Sequence, residues 1–338
     1  MDDSRTNLIR RYCEPVAHFL SDPDITEVMI NRYDDIFVER RGDMQRTDAS
    51  FPSEQALLTL VQQLAGGTLD GSGVVHSELW DGSRCAAVLP PVSPGGVTVS
   101  IRVFPKASFS IDDLIERGAV TSRHSDLFDQ IVSRSMNILV SGATGSGKTT
   151  LLNALTAFIP DTQRVITIED VRELRVAVPN YVPLISSSGT GRDNGSVTMA
   201  NLIAASLRLN PDRILVGEIR QPEAAEAFAQ SLNSGHSGAI TSIHANGPAD
   251  ALYRLENLVG GATKLPVEYV QRQVRSNLHV LIHAEKVPAY GRVVKEFSFL
   301  PSPDSDPVQL SAFDTSTGTH VWSDTAIDLF KRSFAFLG

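Results

Sequence analysis

The sequence predicts an α/β protein in two parts: a small N-terminal α/β domain with an antiparallel sheet, and a larger C-terminal domain with a mostly parallel sheet. Three observations carry this expectation. From about Ser125 onward strands and helices alternate, which is the pattern of a parallel sheet. Before Pro105, short apolar runs are separated by polar turns, as in an antiparallel meander. The 338 residues also exceed what a single core comfortably organises. The boundaries read as residues 1–105, a linker over 106–124, and residues 125–338.

In the first part, Leu8, Tyr12, Val16 and Phe19 share a helical face that Pro15 breaks or restarts. Strands follow over 25–31 and 36–40, with Arg41, Gly42 and Asp43 turning the chain. That Arg-Gly-Asp tripeptide is better explained as a turn than as an adhesion motif. Residues 52–65 read as a helix with Leu57, Leu60, Val61 and Leu64 inward, and residues 66–73 as a flexible loop. The Asp81-Gly82 pair supports a hairpin between 75–79 and 84–89. A last strand over 97–103 carries Arg102, and the linker holds a helix over 111–116.

The second part turns on one stretch. The apolar run Ile138–Val140 leads directly into Gly142, Ala143, Thr144, Gly145, Ser146, Gly147, Lys148, Thr149 and Thr150. A helix follows, on which Leu151, Leu152, Leu155, Phe158 and Ile159 recur until Pro160 stops it. This is the whole G-x-x-x-x-G-K-[ST] phosphate-loop pattern, set between a buried strand and an amphipathic helix as it must be. Glycines let several backbone N–H groups point inward at a phosphate, and the helix adds its positive end. Lys148 is expected to reach the β- and γ-phosphates and the Thr149 hydroxyl to ligate magnesium. The stretch reads as a nucleoside triphosphate site, with ATP and Mg²⁺ as its expected occupants.

Three later strand ends carry polar residues where an open α/β sheet places its ligands. Strand 164–168 ends in Glu169 and Asp170, followed by Glu173; these carboxylates are candidates for holding magnesium through water or orienting the attacking water. A helix N-cap is the alternative for Asp170. Strand 213–216 runs into Gly217 and Glu218. Phosphate-loop enzymes usually place an Asp where Gly217 stands, so Glu218 is the candidate general base and magnesium support falls to Glu169 or Asp170. Strand 239–243 is bracketed by His236 and His244, which suggest a γ-phosphate sensor against the structural alternative.

Between these lie a polar loop over 186–196, expected to be mobile, and a helix from Met199 through Leu207 that Pro211 ends. Pro222 suits a first helical position. Two more helices over 249–259 and 266–278, and strands over 280–284 and 292–299, complete the alternation. After Pro301 little pattern shows until a terminal helix over 326–336.

Composition excludes several classes. Hydrophobic residues make up 42% and charged residues 20%, and the net charge is −9, which argues against a surface built mainly for nucleic acid. Two cysteines, Cys13 and Cys85, stand far apart with no zinc-like spacing, and suit a reducing cytoplasm. No apolar run approaches the roughly 20 residues that span a bilayer, and the first residues lack a signal-peptide core. Any membrane association is therefore expected to be peripheral.

Four segments, GATGSGKTT, TIEDVREL, RILVGEIRQPEA and GHSGAITSIHANGP, resemble in order the Walker A, Asp-box, Walker B and His-box motifs of the secretion and conjugation traffic ATPases. The resemblance extends into the first part through DPDITEVMINRYDDIFVERRG, DGSRCAAVLPP and VSIRVF. It implies a RecA-like ATPase domain, a nucleotide between two domains, and a homo-hexameric motor on the inner face of the inner membrane. Its expected partners are secretion-channel or pilus-assembly proteins, with no direct sequence-specific nucleic acid. The short first domain, the His244-Ala245-Asn246 segment and the absence of a tetracysteine module are similar to the conjugation and type IV secretion branch. Gln221 departs from the glycine usual in relatives. The resemblance also implies that Arg84 and Arg102 bring charge to the phosphates, alongside Lys148, Glu218, Glu169 and His244. The open alternatives are a pilus or type II secretion ATPase, a RecA-like DNA-processing motor, and a nucleotide-gated scaffold without turnover.

Overall fold

The computed structural model describes residues 3–66, 71, 73–104, 109–187 and 196–335. The loop expectations at 66–73 and 186–196 fall mostly outside those residues. The chain divides into two compact units, Met1–Ala107 and Ser108–Gly338.

The first unit opens with α1 (Asp3–Tyr12) and α2 (Glu14–Ala17), with Pro15 in the first turn of α2, where its missing N–H costs nothing. Its sheet comprises β1 (Ile25–Arg32), β2 (Asp35–Arg40), β3 (Asp43–Arg46), β4 (Val74–Glu78), β5 (Arg84–Val88) and β6 (Thr98–Arg102). The strand order is β3-β2-β1-β6-β5-β4, antiparallel throughout. Between β3 and β4, α3 (Glu54–Leu64) starts at Ser53, whose side chain accepts the Ala56 N–H. Leu57, Leu60, Val61 and Leu64 of α3 meet Val28, Ile30, Val99 and Ile101 of the sheet in one core. Cys13 and Cys85 are buried in it, and burial pushes each thiol up to about 12. No local pattern predicts β3, because every residue of Asp43–Arg46 is exposed and no apolar alternation marks it.

The second unit begins with α4 (Ile111–Glu116), which has a Ser110–Asp113 capping box, and α5 (Ser122–Ser133). Then come β7 (Ile138–Ser141), α6 (Lys148–Thr156), β8 (Val165–Glu169), β9 (Tyr181–Ile185), α7 (Met199–Ser206), β10 (Arg213–Val216) and α8 (Pro222–Asn233). The chain continues through β11 (Ile240–Ile243), α9 (Pro248–Ala262), α10 (Val267–Arg275), β12 (Val280–Val287), β13 (Gly291–Phe299), β14 (Val308–Asp314), β15 (Thr319–Trp322) and α11 (Asp324–Ser333). The sheet order is β15-β14-β13-β12-β7-β11-β10-β8-β9. From β12 to β9 every pairing is parallel, and from β12 to β15 every pairing is antiparallel.

The inner parallel strands β7, β8, β10 and β11 are buried on both faces, so their side chains alternate between two cores. Ile138 and Val140 of β7 join the core with α5, α6 and α11, while Leu139 joins the core with α7, α8 and α9. Several elements had no clear signal. Helix α5 straddles the expected domain boundary. Strand β9 contains Pro183, tolerated because β9 is an edge strand. Strands β14 and β15 lie in the tail read as unpatterned. Helix α7 ends at Ser206, ahead of the Pro211 expected to stop it.

Candidate functional site

The parallel strands all end at one edge of the sheet, and the phosphate-loop segment leaves that edge from Ser141. Gly142 has φ 153°, and a Cβ there would collide with the Ala284 carbonyl and the Ser146 hydroxyl. Only glycine lets the loop start this close to β12. Ala143, Thr144 and Gly145 form the exposed tip, Ser146 is buried, and Gly147 precedes the first turn of α6, with Thr150 half-buried behind it. Lys148 is 8% exposed and donates to the carbonyls of Gly142 (3.0 Å) and Ala143 (3.1 Å). Burial pulls its ammonium below the ordinary value, and the charge of Glu218 opposes that pull.

Thr149 donates its hydroxyl to Glu173 Oε2 at 3.1 Å. Glu169, at the end of β8 and 3% exposed, accepts the backbone N–H groups of Glu173 (2.8 Å) and Leu174 (2.9 Å) through Oε1. It thereby folds the following loop so that Glu173 stands over Thr149. Asp170 is exposed and accepts the Ser186 hydroxyl at 2.7 Å beside the sheet's edge strand. Of the acidic residues in this segment, Glu173 is the one brought to Thr149.

Gly217 follows β10. A Cβ there would come within 3.0 Å of Glu169 Cγ, so the space an aspartate needs is already filled. The turn is pinned to β11, where Ser242 Oγ donates to the Gly217 carbonyl (2.7 Å) and the Ile219 N–H donates to the Ser242 carbonyl (2.8 Å). Glu218, 16% exposed at its side chain, lies among Lys148, Arg220 and His244. Its Oε1 is 3.5 Å from Lys148 Nζ and 3.0 Å from His244 Nε2. Its Oε2 accepts from Arg220 Nε at 2.7 Å, with Arg220 Nη2 on the same oxygen. Burial pushes the Glu218 carboxyl up, but the Arg220 hydrogen bond and the charges of Lys148, Arg220 and His244 outweigh it and hold the group below its ordinary value. His244 is itself held low, by burial first and then by Lys148, against the pull of Glu218.

The two histidines part company. His244 follows β11 at the phosphate-loop edge, whereas His236 precedes β11 at the opposite edge, with its Nδ1 3.0 Å from Ser234 Oγ. A four-residue strand is about 13 Å long, so the pair does not share one site. In the first unit, Arg84 and Arg102 stand directly opposite one another on β5 and β6, flanked in register by Glu78 and Glu27. Arg102 is exposed and Arg84 half-buried.

A family model described as "Type II/IV secretion system protein" matches residues 11–288. The chain belongs to that family. Among curated members it is 32% identical over 295 residues to a putative conjugal transfer protein of Mycobacterium tuberculosis, covering 83% of this chain and 82% of that one. It is 30% identical over 323 residues to the type IV secretion system protein VirB11 of Bartonella quintana, covering 83% and 90%. It is 32% identical over 285 residues to the conjugal transfer protein TrbB of Rhizobium radiobacter, covering 82% and 84%. Its fold is that of the pilus retraction motor PilT (TM-score 0.61, 19% identity, 96% of this chain and 86% of that one). The Legionella pneumophila ATPase DotB matches equally, with the same score, identity and coverage. Recognition of the secretion traffic family and of its mixed two-sheet α/β architecture therefore holds.

Within this Type II/IV secretion family member, sequence reasoning undervalued three residues. Glu173 is one of three candidate carboxylates in the sequence; what singles it out is the tight turn that Glu169 makes with the two backbone N–H groups beyond it. Arg220 lies two residues after Glu218, and nothing in the local pattern marks it as that carboxylate's partner. Arg292, at the start of β13, donates from Nε to the Gly145 carbonyl at 2.7 Å, a contact 147 residues apart in sequence that no local pattern announces.

Proposed function

We propose that this chain is an ATP-hydrolysing motor of a type IV secretion or conjugative-transfer system. It works as a homo-hexamer, in the cytoplasm and peripheral on the inner face of the inner membrane, where it acts on channel or pilus-assembly proteins. Among the described residues no helix is long and apolar enough to cross a membrane. The observation that carries the reading is the meeting of Lys148 and Glu218, 3.5 Å apart, across two separate strand ends. A phosphate-binding cation and a candidate proton acceptor converge on one point.

The roles follow from chemistry. Backbone N–H groups from Gly142 to Thr150 and the positive end of α6 receive the phosphates. Lys148 exchanges its two carbonyl acceptors for phosphate oxygens. The attacking water gives its proton to Glu218 as its oxygen bonds the γ-phosphorus; the bond from that phosphorus to the β–γ bridging oxygen breaks, and ADP and phosphate leave. Mg²⁺ suits the oxygen donors present, the Thr149 hydroxyl with the Glu173 carboxylate, because it keeps most of its ligands as water and phosphate oxygens. When bound it neutralises charge on those oxygens. Glu169 positions Glu173, and Asp170 stays a weaker candidate on the metal side. His244 reads the γ-phosphate end, and Arg102, with Arg84 less strongly, supplies further charge.

Steady-state phosphate release with Mg-ATP tests the reading. Wild type turns over, Lys148→Ala does not while remaining folded, and Arg102→Ala retains only a reduced kcat at matched oligomeric state. Wild-type rates in Lys148→Ala overturn the phosphate-loop assignment.

A further inference from the structure

Arg117, Arg123 and Arg220 of the second unit are not equivalent. Arg123 is committed to Asp324 and lies over the Trp322 ring, and Arg117 lies over the Phe109 ring. Arg220 alone of the three stands at the phosphate-loop edge. It touches the carboxylate that the hydrolysis reading makes the proton acceptor.

Three features of that contact argue for a movable partner. Ile219 is 1% exposed and tied by its N–H to Ser242, so it fixes the backbone between Glu218 and Arg220 while both flanking side chains turn to the same place. Glu218 is hemmed in, with Lys148 and His244 at Oε1 and a side chain only 16% exposed. Arg220 is 57% exposed, and a pair with one partner that open to water is only weakly held. Arginine can leave and glutamate cannot. The planar guanidinium also sits one carboxylate away from Lys148, and its fork fits phosphate oxygens in the same two-point manner.

We propose that Arg220 exchanges partners with nucleotide state: it grips Glu218 when no γ-phosphate is present and moves its fork to the γ-phosphate of bound ATP, releasing Glu218 as the base. This rests on the ATPase reading and adds to it a γ-phosphate contact supplied from within the second unit. While the fork is on Oε2, Glu218 is a poor proton acceptor. When the fork leaves, burial again favours proton uptake, which is what a general base needs near neutral pH. Base strength is then linked to the presence of the phosphoryl group to be cleaved.

Equilibrium binding of ATPγS and of ADP to the full chain, both with Mg²⁺, tests this without turnover. Arg220→Gln should weaken ATPγS on the order of tenfold, within the range of a charge-assisted phosphate contact, and leave ADP nearly unchanged. Arg220→Lys should recover part of the loss. In Glu218→Gln the fork has lost its anionic partner, so preference for ATPγS over ADP should rise. That rise should vanish in the Glu218→Gln/Arg220→Gln double variant. An unchanged ATPγS-to-ADP ratio in both Arg220 variants, or a rise that survives in the double variant, overturns the exchange. If wild type binds neither nucleotide, the ATPase reading falls as well. If it binds both and the ratio ignores Arg220, only the exchange falls.

Discussion

Lys148 and Arg213 are both buried cations on the nine-stranded sheet, one at each edge, and they are kept in opposite ways. Arg213 is 0% exposed and donates from Nη2 to the Val132 carbonyl and the Ser135 hydroxyl, and from Nε to Gln163. All of these partners are neutral and built in. Burial pulls the guanidinium down to about 10, with Asp212 opposing, and Gly238 leaves the room it needs, since a Cβ there would stand 2.8 Å from Nη1. Lys148 instead holds two loop carbonyls, with a carboxylate at 3.5 Å. One edge holds its charge on built-in neutral partners at Nε and Nη2, with Nη1 left without one among the described residues, and the other holds its charge on partners that a phosphate can replace.

The same contrast runs through the neighbours. At the Arg213 edge, Asn137 accepts the Ala239 N–H through Oδ1 and donates to the Asn277 carbonyl, and its own N–H donates to His279 Nδ1. At the Lys148 edge, the Glu218 carboxylate is shared between Arg220, Lys148 and the His244 ring rather than saturated by one of them. Buried polar groups that must stay put rest mainly on fixed partners, and those that must act keep exchangeable ones.

Substitutions can break this comparison, and Glu218→Gln should have the largest effect. Nucleotide should bind while turnover falls by about 10²–10⁴, because the amide keeps the shape and loses the base. Substantial residual hydrolysis moves the base role to Glu173 or Glu169. Arg213→Met acts on the other edge and on a different observable. Leaving the Val132 carbonyl and Gln163 without their donor should cost roughly 3 kcal/mol, a Tm drop of roughly 6–12 °C, with nucleotide affinity unchanged in the folded fraction. A Tm equal to wild type would show that these built-in hydrogen bonds are not stabilising.

His244→Ala should lower hydrolysis several-fold with little change in nucleotide affinity, while His236→Ala should leave both alone. Equal effects in the two variants contradict their assignment to opposite edges. The smallest effect concerns pH. Burial pushes His279 down to about 4, below the roughly 6.5 of an unfolded chain. Its contribution to stability is therefore complete above about 6.5 and is lost as pH falls toward 4. His124, pushed down by burial to about 2, adds to the same slope. Tm measured from pH 7 to pH 5 should fall, and His279→Asn should make the fall shallower; a parallel slope removes His279 as a cause.

How far the sequence was legible follows the same division. The phosphate loop, Glu218 and the inner parallel strands were readable because each combines a local pattern with a required flank. Glu173 and Arg292 were not, since their partners depend on how a turn closes and on a strand pair formed far along the chain. Strand β3 is wholly exposed, so no buried alternation announces it. In β14, Leu310 and Ser311 are buried side by side with Phe313, which blurs the alternation a strand search relies on. His236 and His244 show the limit most simply. Flanking one strand in sequence places two residues at its opposite ends, and only one end of a parallel strand faces the ligand edge.

The two buried thiols give the first unit a chemical clock. Cys13 and Cys85 are the chain's only cysteines, and both belong to the Ile9–Val103 core, so the second unit is silent to thiol reagents. The thiolate is the reactive form, and with each group pushed up to about 12 almost none exists at neutral pH while the core is shut. A maleimide therefore reacts at the rate at which that core opens, and labelling followed by intact mass counts openings of the N-terminal unit alone. Repeating the measurement across nucleotide states asks whether events at the phosphate loop are felt as loosening in a unit that holds none of that loop.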